Sequence, residues 1–178
     1  MNMEEVILVD EKDNVVGYME KMEAHEKAVL HRAFSVFIFN SRGEMLLQQR
    51  ALKKYHSGGL WTNACCSHPR KDETTLRGAE RRLKEEMGIV TPLKKIFDFI
   101  YKAEFDNGLS EYEFDHVYVG YSDERPDINL KEVANYTYRS MDFIDQFLNE
   151  HPDFYTAWFL LAFPKVLEWY HKSHPVKF

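Results

Sequence analysis

The sequence predicts an α+β fold, a mixed β-sheet sandwiched between helices, on three observations. Apolar or alternating runs at residues 6–9, 33–40, 45–50, 96–101, 113–121 and 136–141 have strand character. Apolar residues three to four apart mark helices at 72–88, 143–149 and 156–171. No repeat, Pro/Ser-rich linker or charge block divides the 178 residues, so one domain spanning 1–178 is expected.

Each element has a local reason. Residues 33–39 are apolar on both faces, which suits a central strand. Asn40-Ser41-Arg42-Gly43 separates that run from 45–50 and reads as a hairpin turn. Asp72 can cap the first long helix and Gly88 can stop it. Between them Leu76, Ala79, Leu83 and Met87 form an apolar stripe. Residues 122–132 are polar and read as a long loop. Pro164 should kink or break the last helix.

Composition narrows the function. With 44% hydrophobic and 15% aromatic residues the chain can bury a core, which excludes a disordered protein. Lys plus Arg number 23 against 29 Asp plus Glu, a net charge of −6, and this argues against nonspecific nucleic-acid binding. The longest apolar runs, 33–39 and 157–163, are too short to span a bilayer. The acidic start lacks a basic flank and apolar signal core. Cys65 and Cys66 are adjacent, an awkward geometry for a disulfide, so a reduced, cytoplasmic protein is expected.

Three short features could carry chemistry. In Trp61-Thr62-Asn63-Ala64-Cys65-Cys66-Ser67-His68-Pro69, Pro69 ends any strand, which places Cys-x-His at a turn before the helix. That segment reads as a reactive Cys66 thiol beside a metal-binding His68, or as two inert cysteines next to a surface histidine. His25 and His31, six apart, cannot share one helical face, though a loop entering a strand could bring both to one ion. In Glu111-Tyr112-Glu113, strand alternation puts both carboxylates on one face, where each raises the other's proton affinity unless a cation intervenes. Either pair alone is also common on a solvated surface. Together, three histidines and two glutamates suit a Zn, Mn or Mg site closed by protein ligands.

A longer pattern is more specific. Ser67-x5-Glu73-x7-Arg81-Arg82-Leu83-x-Glu85-Glu86-x-Gly88 resembles the Nudix box. Ser67 stands where that box has Gly, and Arg82 where it has Glu. In Nudix hydrolases the glutamate helps hold the Mg²⁺ ions that activate water. An arginine there weakens such a cluster while favouring a diphosphate anion.

Further segments extend the likeness. Residues 30–37 (Leu-His-Arg-Ala-Phe-Ser-Val-Phe), Leu47-Gln48-Gln49-Arg50, residues 61–69 and Glu111-Tyr112-Glu113 closely resemble the type I isopentenyl-diphosphate Δ-isomerases of the Nudix superfamily. The motifs keep the same order over about residues 5–170. The resemblance implies a Nudix-type fold and the interconversion of isopentenyl and dimethylallyl diphosphate. It implies Cys66 and Glu113 as catalytic groups supported by Tyr101. It implies His25, His31, His68, Glu111 and Glu113 as ligands of a tightly bound divalent metal (Mn, Zn or Mg), and Glu86 as ligand of a Mg²⁺ arriving with the diphosphate. Lys21, Arg50, Lys54, Ser67 and Arg82 fall on diphosphate contacts, and Trp158 on the aromatic over the hydrocarbon.

The implied chemistry suits these residue types. An unactivated alkene must gain one proton and lose another through a tertiary carbocation, so two proton-handling groups must face the substrate with water excluded. Trp61, Trp158 and Tyr101 can offer π-faces to the cation, although Trp61 could equally be core packing. The expected partner is a small isoprenyl diphosphate, with no nucleic acid and no membrane span, bound by a monomer or weak homodimer. The rival readings are a Nudix pyrophosphohydrolase, against which Arg82 counts, and a non-catalytic metal-binding Nudix module, which leaves Cys66, Tyr101 and Glu113 unexplained.

Overall fold

The computed structural model describes residues 4–174; the ends of the expected domain, 1–3 and 175–178, lie outside the described residues. Its centre is β3 (His31–Phe39), which pairs antiparallel with β1 (Glu5–Val9), β4 (Met45–Arg50) and β6 (Cys65–Ser67), and parallel with β8 (Ser110–Tyr121). Outer partners complete a nine-stranded mixed sheet: β2 (Val15–Glu20) on β1, β5 (Trp61–Thr62) and β9 (Val133–Arg139) on β4, and β7 (Lys94–Glu104) on β8. Residues 33–39 are buried on both faces, as a central strand requires.

Strand alternation divides two cores between the faces. Phe34, Val36 and Ile38 pack with Ala79, Leu83 and Met87 of α2 (Thr75–Met87). Phe37 and Phe39 point the other way, onto Ile144 of α3 (Met141–Glu150) and Phe159 and Phe163 of α4 (Ala157–Ser173). The sheet is therefore covered on both sides. α2 approaches closely because residue 78 is glycine: a Cβ there would come within 2.9 Å of the Phe34 ring.

Several expected boundaries move. The α2 cap is Thr74, not Asp72: its hydroxyl accepts the Arg77 N–H at 3.2 Å, which starts the helix two residues later. Gly88 does stop it, in the left-handed conformation at φ 68°. Leu76 leaves the expected stripe and is 37% exposed, because it lies in the first turn, outside the buried arc. The strand expected at 136–141 is β9, and Met141 instead begins α3 once Ser140 caps it. β7 and β8 run longer than their apolar runs, since their outer ends pair with each other. Helix α4 passes through Pro164 without a break; its buried apolar face against the sheet holds it despite the missing N–H. β2, the short α1 (Lys21–Glu26), β5 and β6 carry no periodic signal strong enough to be expected. No helix among the described residues is long and apolar enough to cross a membrane.

Candidate active site

The site lies where the apolar rows on the α4 side of the sheet give way to polar groups. Along β8, Val119 and Val117 are followed on the same face by Asp115, Glu113 and Glu111, all buried. Along β3, Phe39 and Phe37 are followed by Ser35 and His31. Register places His31 opposite Glu113, and on the other side of β8 places Tyr101 opposite Glu113 and Ala103 opposite Glu111.

The spacing of His25 and His31 is explained by the short helix α1. His25 lies in its last turn and His31 opens β3 after a turn, which brings their rings to 5.0 Å between centroids. Each ring is anchored through Nδ1: His25 to the Lys21 carbonyl at 2.6 Å and His31 to the Val29 carbonyl at 2.8 Å. Such bonds fix the tautomer, so the Nε2 lone pairs face inward. His31 Nε2 is 3.2 Å from His68 Nε2, and these lie 3.5 and 2.9 Å from Glu113 Oε1. Buried His25 Nε2 has no hydrogen-bond partner among the described residues. Inward lone pairs beside an acceptor-only carboxylate repel unless a proton or cation sits among them. The four donors, His25, His31, His68 and Glu113, lie close enough to share one ion, so they fit a divalent metal.

Glu111 belongs to a neighbouring group with His25 and His56 rather than to that foursome. Its Oε1 is 3.3 Å from His56 Nε2 and its Oε2 is 3.0 Å from the Tyr101 hydroxyl. The Tyr101 hydroxyl also donates to Glu113 Oε2 at 2.6 Å. Burial would raise the Glu113 carboxyl, but the facing His31 and His68 hold it well below the usual carboxylate range. Burial, followed by the neighbouring Glu113, raises Glu111 instead. Burial and the nearby His68 pull His25 down to about 4. His56 was not foreseen, because Tyr55-His56-Ser57-Gly58-Gly59 looks like an ordinary turn. Its burial comes from Phe105, stacked on it at 4.5 Å, and from the edge of Trp158.

Cys65 and Cys66 separate by strand alternation. Cys65 joins the core under α2, while Cys66 faces the site. Both lie in β6, so the expected turn at Cys-x-His is a strand, ending at Ser67. Burial, with the nearby Asp115 carboxyl, pushes the Cys66 thiol well above its usual value and keeps its proton on.

One pocket gathers the remaining groups. Cys66, Ser67, His68, Tyr101, Glu111 and Glu113 line it beside Trp158 and Glu86. Lys21, Arg50, Lys54 and Arg82 supply its cations. The Arg50 guanidinium lies over the Trp158 ring, 5.0 Å from its centroid. Glu86 stands apart from the histidines, held by Gln48 at 2.9 Å and Arg82 at 2.6 Å. Carboxylates engage three of the cations: Lys21 with Glu4, Lys54 with Glu132, and Arg82 with Glu85 and Glu86. Trp61 lies elsewhere, packed against the core beneath α3 and α4, so it is a packing residue and no wall of this pocket.

Comparison with known proteins identifies the family. The NUDIX domain family model matches residues 29–160. The chain is 52% identical over 170 residues to "Isopentenyl-diphosphate Delta-isomerase" of Pectobacterium atrosepticum, covering 96% of this chain and 95% of that one. It is 48% identical to "Isopentenyl-diphosphate Delta-isomerase 2" of Photorhabdus laumondii, covering 94% and 98%. Among solved structures, DR0079 from Deinococcus radiodurans superposes with a TM-score of 0.67 at 20% identity, covering 82% of this chain and 90% of that one, a likeness of fold. With a NUDIX match over most of its length and relatives of this identity and coverage, the chain belongs to the NUDIX family and, within it, to the isopentenyl-diphosphate Delta-isomerases.

Proposed function

We propose that this protein interconverts isopentenyl diphosphate and dimethylallyl diphosphate by protonation and deprotonation. The observation that carries the reading is the shared pocket: a protonated thiol, Cys66, and a carboxylate, Glu113, line it together beneath a cationic rim. Lys21, Arg50, Lys54 and Arg82 bind and orient the diphosphate; Ser67, at the same wall, adds a hydroxyl. Glu86, on the pocket wall, would meet a Mg²⁺ that accompanies the diphosphate.

Binding leaves the hydrocarbon among Cys66, Tyr101, Glu113 and Trp158. One of Cys66 and Glu113 gives a proton to the terminal alkene carbon and the other removes one from the allylic carbon. The aromatic faces of Trp158 and Tyr101 stabilise the intervening tertiary cation, by about 0.5–2 kcal/mol per face. Tyr101 orients Glu113, and the enclosing side chains exclude the water that would capture the cation. His25, His31, His68 and Glu113, with Glu111 adjacent, would hold a divalent ion (Mn, Zn or Mg); bound there, it sets the charge and proton affinity of Glu113.

Arg82 disfavours hydrolysis. It puts a cation where the Nudix box has a carboxylate and pairs with Glu85, which weakens the metal cluster that water activation would need. The test is incubation of metal-loaded protein with isopentenyl diphosphate and Mg²⁺, monitoring acid-labile dimethylallyl diphosphate. Turnover abolished by Cys66→Ala and by Glu113→Gln, in folded variants, supports the assignment. Full activity in either variant removes it, and release of diphosphate or phosphate instead points to the hydrolase.

A further inference from the structure

A string of buried polar groups runs behind Cys66 and has no part in the chemistry above. The Cys66 thiol donates to Asn63 Oδ1 at 3.1 Å. The same oxygen accepts the Thr62 hydroxyl at 2.9 Å, and Thr62 Oγ1 accepts from the Thr156 hydroxyl at 3.0 Å. Thr156 is the N-cap of α4, the helix that carries Trp158 two residues later. On the other side of the thiol, Ser35 Oγ lies 3.3 Å away and donates to Asp115 at 2.7 Å. Thr62, Asn63 and Thr156 are at most 2% exposed.

The orientation of Asn63 is fixed by its surroundings. Both hydrogens of Nδ2 are used, one on the Val36 carbonyl and one on the Cys65 carbonyl, each at 2.9 Å. A flipped amide would set its oxygen against two carbonyl oxygens, so Oδ1 must face Thr62 and Cys66. Apolar side chains would fill this space without any polar group to satisfy, so packing alone does not call for the string. Its two ends meet opposite features of the pocket, the thiol at one and the helix bearing the aromatic wall at the other.

We propose that Asn63, oriented through Thr62 and Thr156, is a positioning residue that fixes the Cys66 rotamer and holds the thiol in register with Trp158 across the substrate. This rests on the reading of Cys66 as a proton-handling group. Thr62 is the link to test, because it belongs neither to the pocket lining nor to the metal-donor groups, and valine copies its shape without the hydroxyl.

Steady-state kinetics are measured on metal-loaded parent, Thr62→Val, Thr62→Ser and Cys66→Ala enzymes with isopentenyl diphosphate. The expected result is a fall in kcat of about tenfold or more for Thr62→Val with KM within about twofold, and recovery to within about threefold in Thr62→Ser. A merely structural threonine would give no such kcat-only loss with hydroxyl rescue. An unchanged kcat in Thr62→Val, a loss carried in KM, or an equal loss in Thr62→Ser overturns the proposal. Should Thr62→Val fail to fold, Thr62→Ala replaces it under the same criteria. Full turnover by Cys66→Ala would defeat the reading of Cys66 itself, whereas an inactive Cys66→Ala beside an unimpaired Thr62→Val defeats only the positioning role.

Discussion

The Tyr101 hydroxyl donates to Glu113 Oε2 at 2.6 Å, while the other oxygen of that carboxylate, Oε1, faces His68 at 2.9 Å. Glu113 is thus gripped from both sides and can present its charge in only one orientation. Removing the phenolic oxygen frees one side but keeps the ring, which stacks on Phe99 at 5.6 Å. Tyr101→Phe should therefore lower kcat by about 10- to 100-fold, the range for one hydrogen bond to a charged group. Its melting temperature should fall by no more than about 10 °C, so the variant remains folded. Kinetics and a melt on the same preparation check both.

The His31 and His68 Nε2 atoms, 3.2 Å apart with His25 beside them, make an inward-facing donor set that a divalent ion would stabilise. Because the unfolded chain has no such set, metal binding must stabilise the fold. At about a hundredfold excess over the dissociation constant the gain is about 2.7 kcal/mol, or about 5–10 °C in Tm for a chain of this size. Chelated protein should melt lower and recover on adding Mn²⁺ or Zn²⁺. His68→Ala should show little metal-dependent shift, and an equal shift in that variant would place the ion elsewhere.

How far the site could be foreseen differs from residue to residue. Cys66, His68 and Glu113 stand in compact motifs, and strand alternation alone explains why Cys66 and not Cys65 faces the pocket. The central position of β3 also follows from its run at 33–39, apolar on both faces but for Ser35. His25 resisted local reasoning because a six-residue helix leaves no periodic trace, yet that helix turns a spacing of six into ring contact. His56 and Asp115 gave no motif at all; their burial depends on segments distant in sequence, Phe105 for one and Ser35 for the other. Trp61 shows the converse, a motif residue whose packing partners lie outside the pocket.

Glu132 engages two cations of the pocket rim that a bound diphosphate would need. It pairs with Lys54 and lies 3.5 Å from Arg82, two of the cations proposed to bind diphosphate. Partly exposed pairs of this kind are worth about 0.5–1 kcal/mol. Glu132→Gln should therefore lower KM for the diphosphate by about two- to fivefold with kcat little changed, and the difference should shrink at high salt. A raised KM would mean that Glu132 helps to orient the cations instead of competing for them.

Glu73 ties the chain before α2 to the middle of that helix, and this link sets a pH dependence of stability. Arg81 grips its carboxylate with two bonds, 2.7 Å from Nε and 2.9 Å from Nη2, and the Arg70 N–H adds a third at 3.0 Å. Arg81 in particular holds the Glu73 carboxyl below its ordinary value of 4.5. A carboxyl with a depressed folded-state value stabilises the fold above its unfolded value and loses that contribution as pH falls through the folded one. At pH 7 the full contribution is present, so Glu73→Gln should lose about 1–2 kcal/mol there and melt about 2–8 °C lower. As pH falls below 4.5 and on through the lower folded-state value, the parent protonates Glu73 and surrenders the same interaction. The gap between parent and variant should therefore close on the acid side and stay constant between pH 6 and 8. Melting curves from pH 3 to 8 measure it, and a gap that does not narrow at all below pH 4.5 would mean that Glu73 acts through packing and not through its charge.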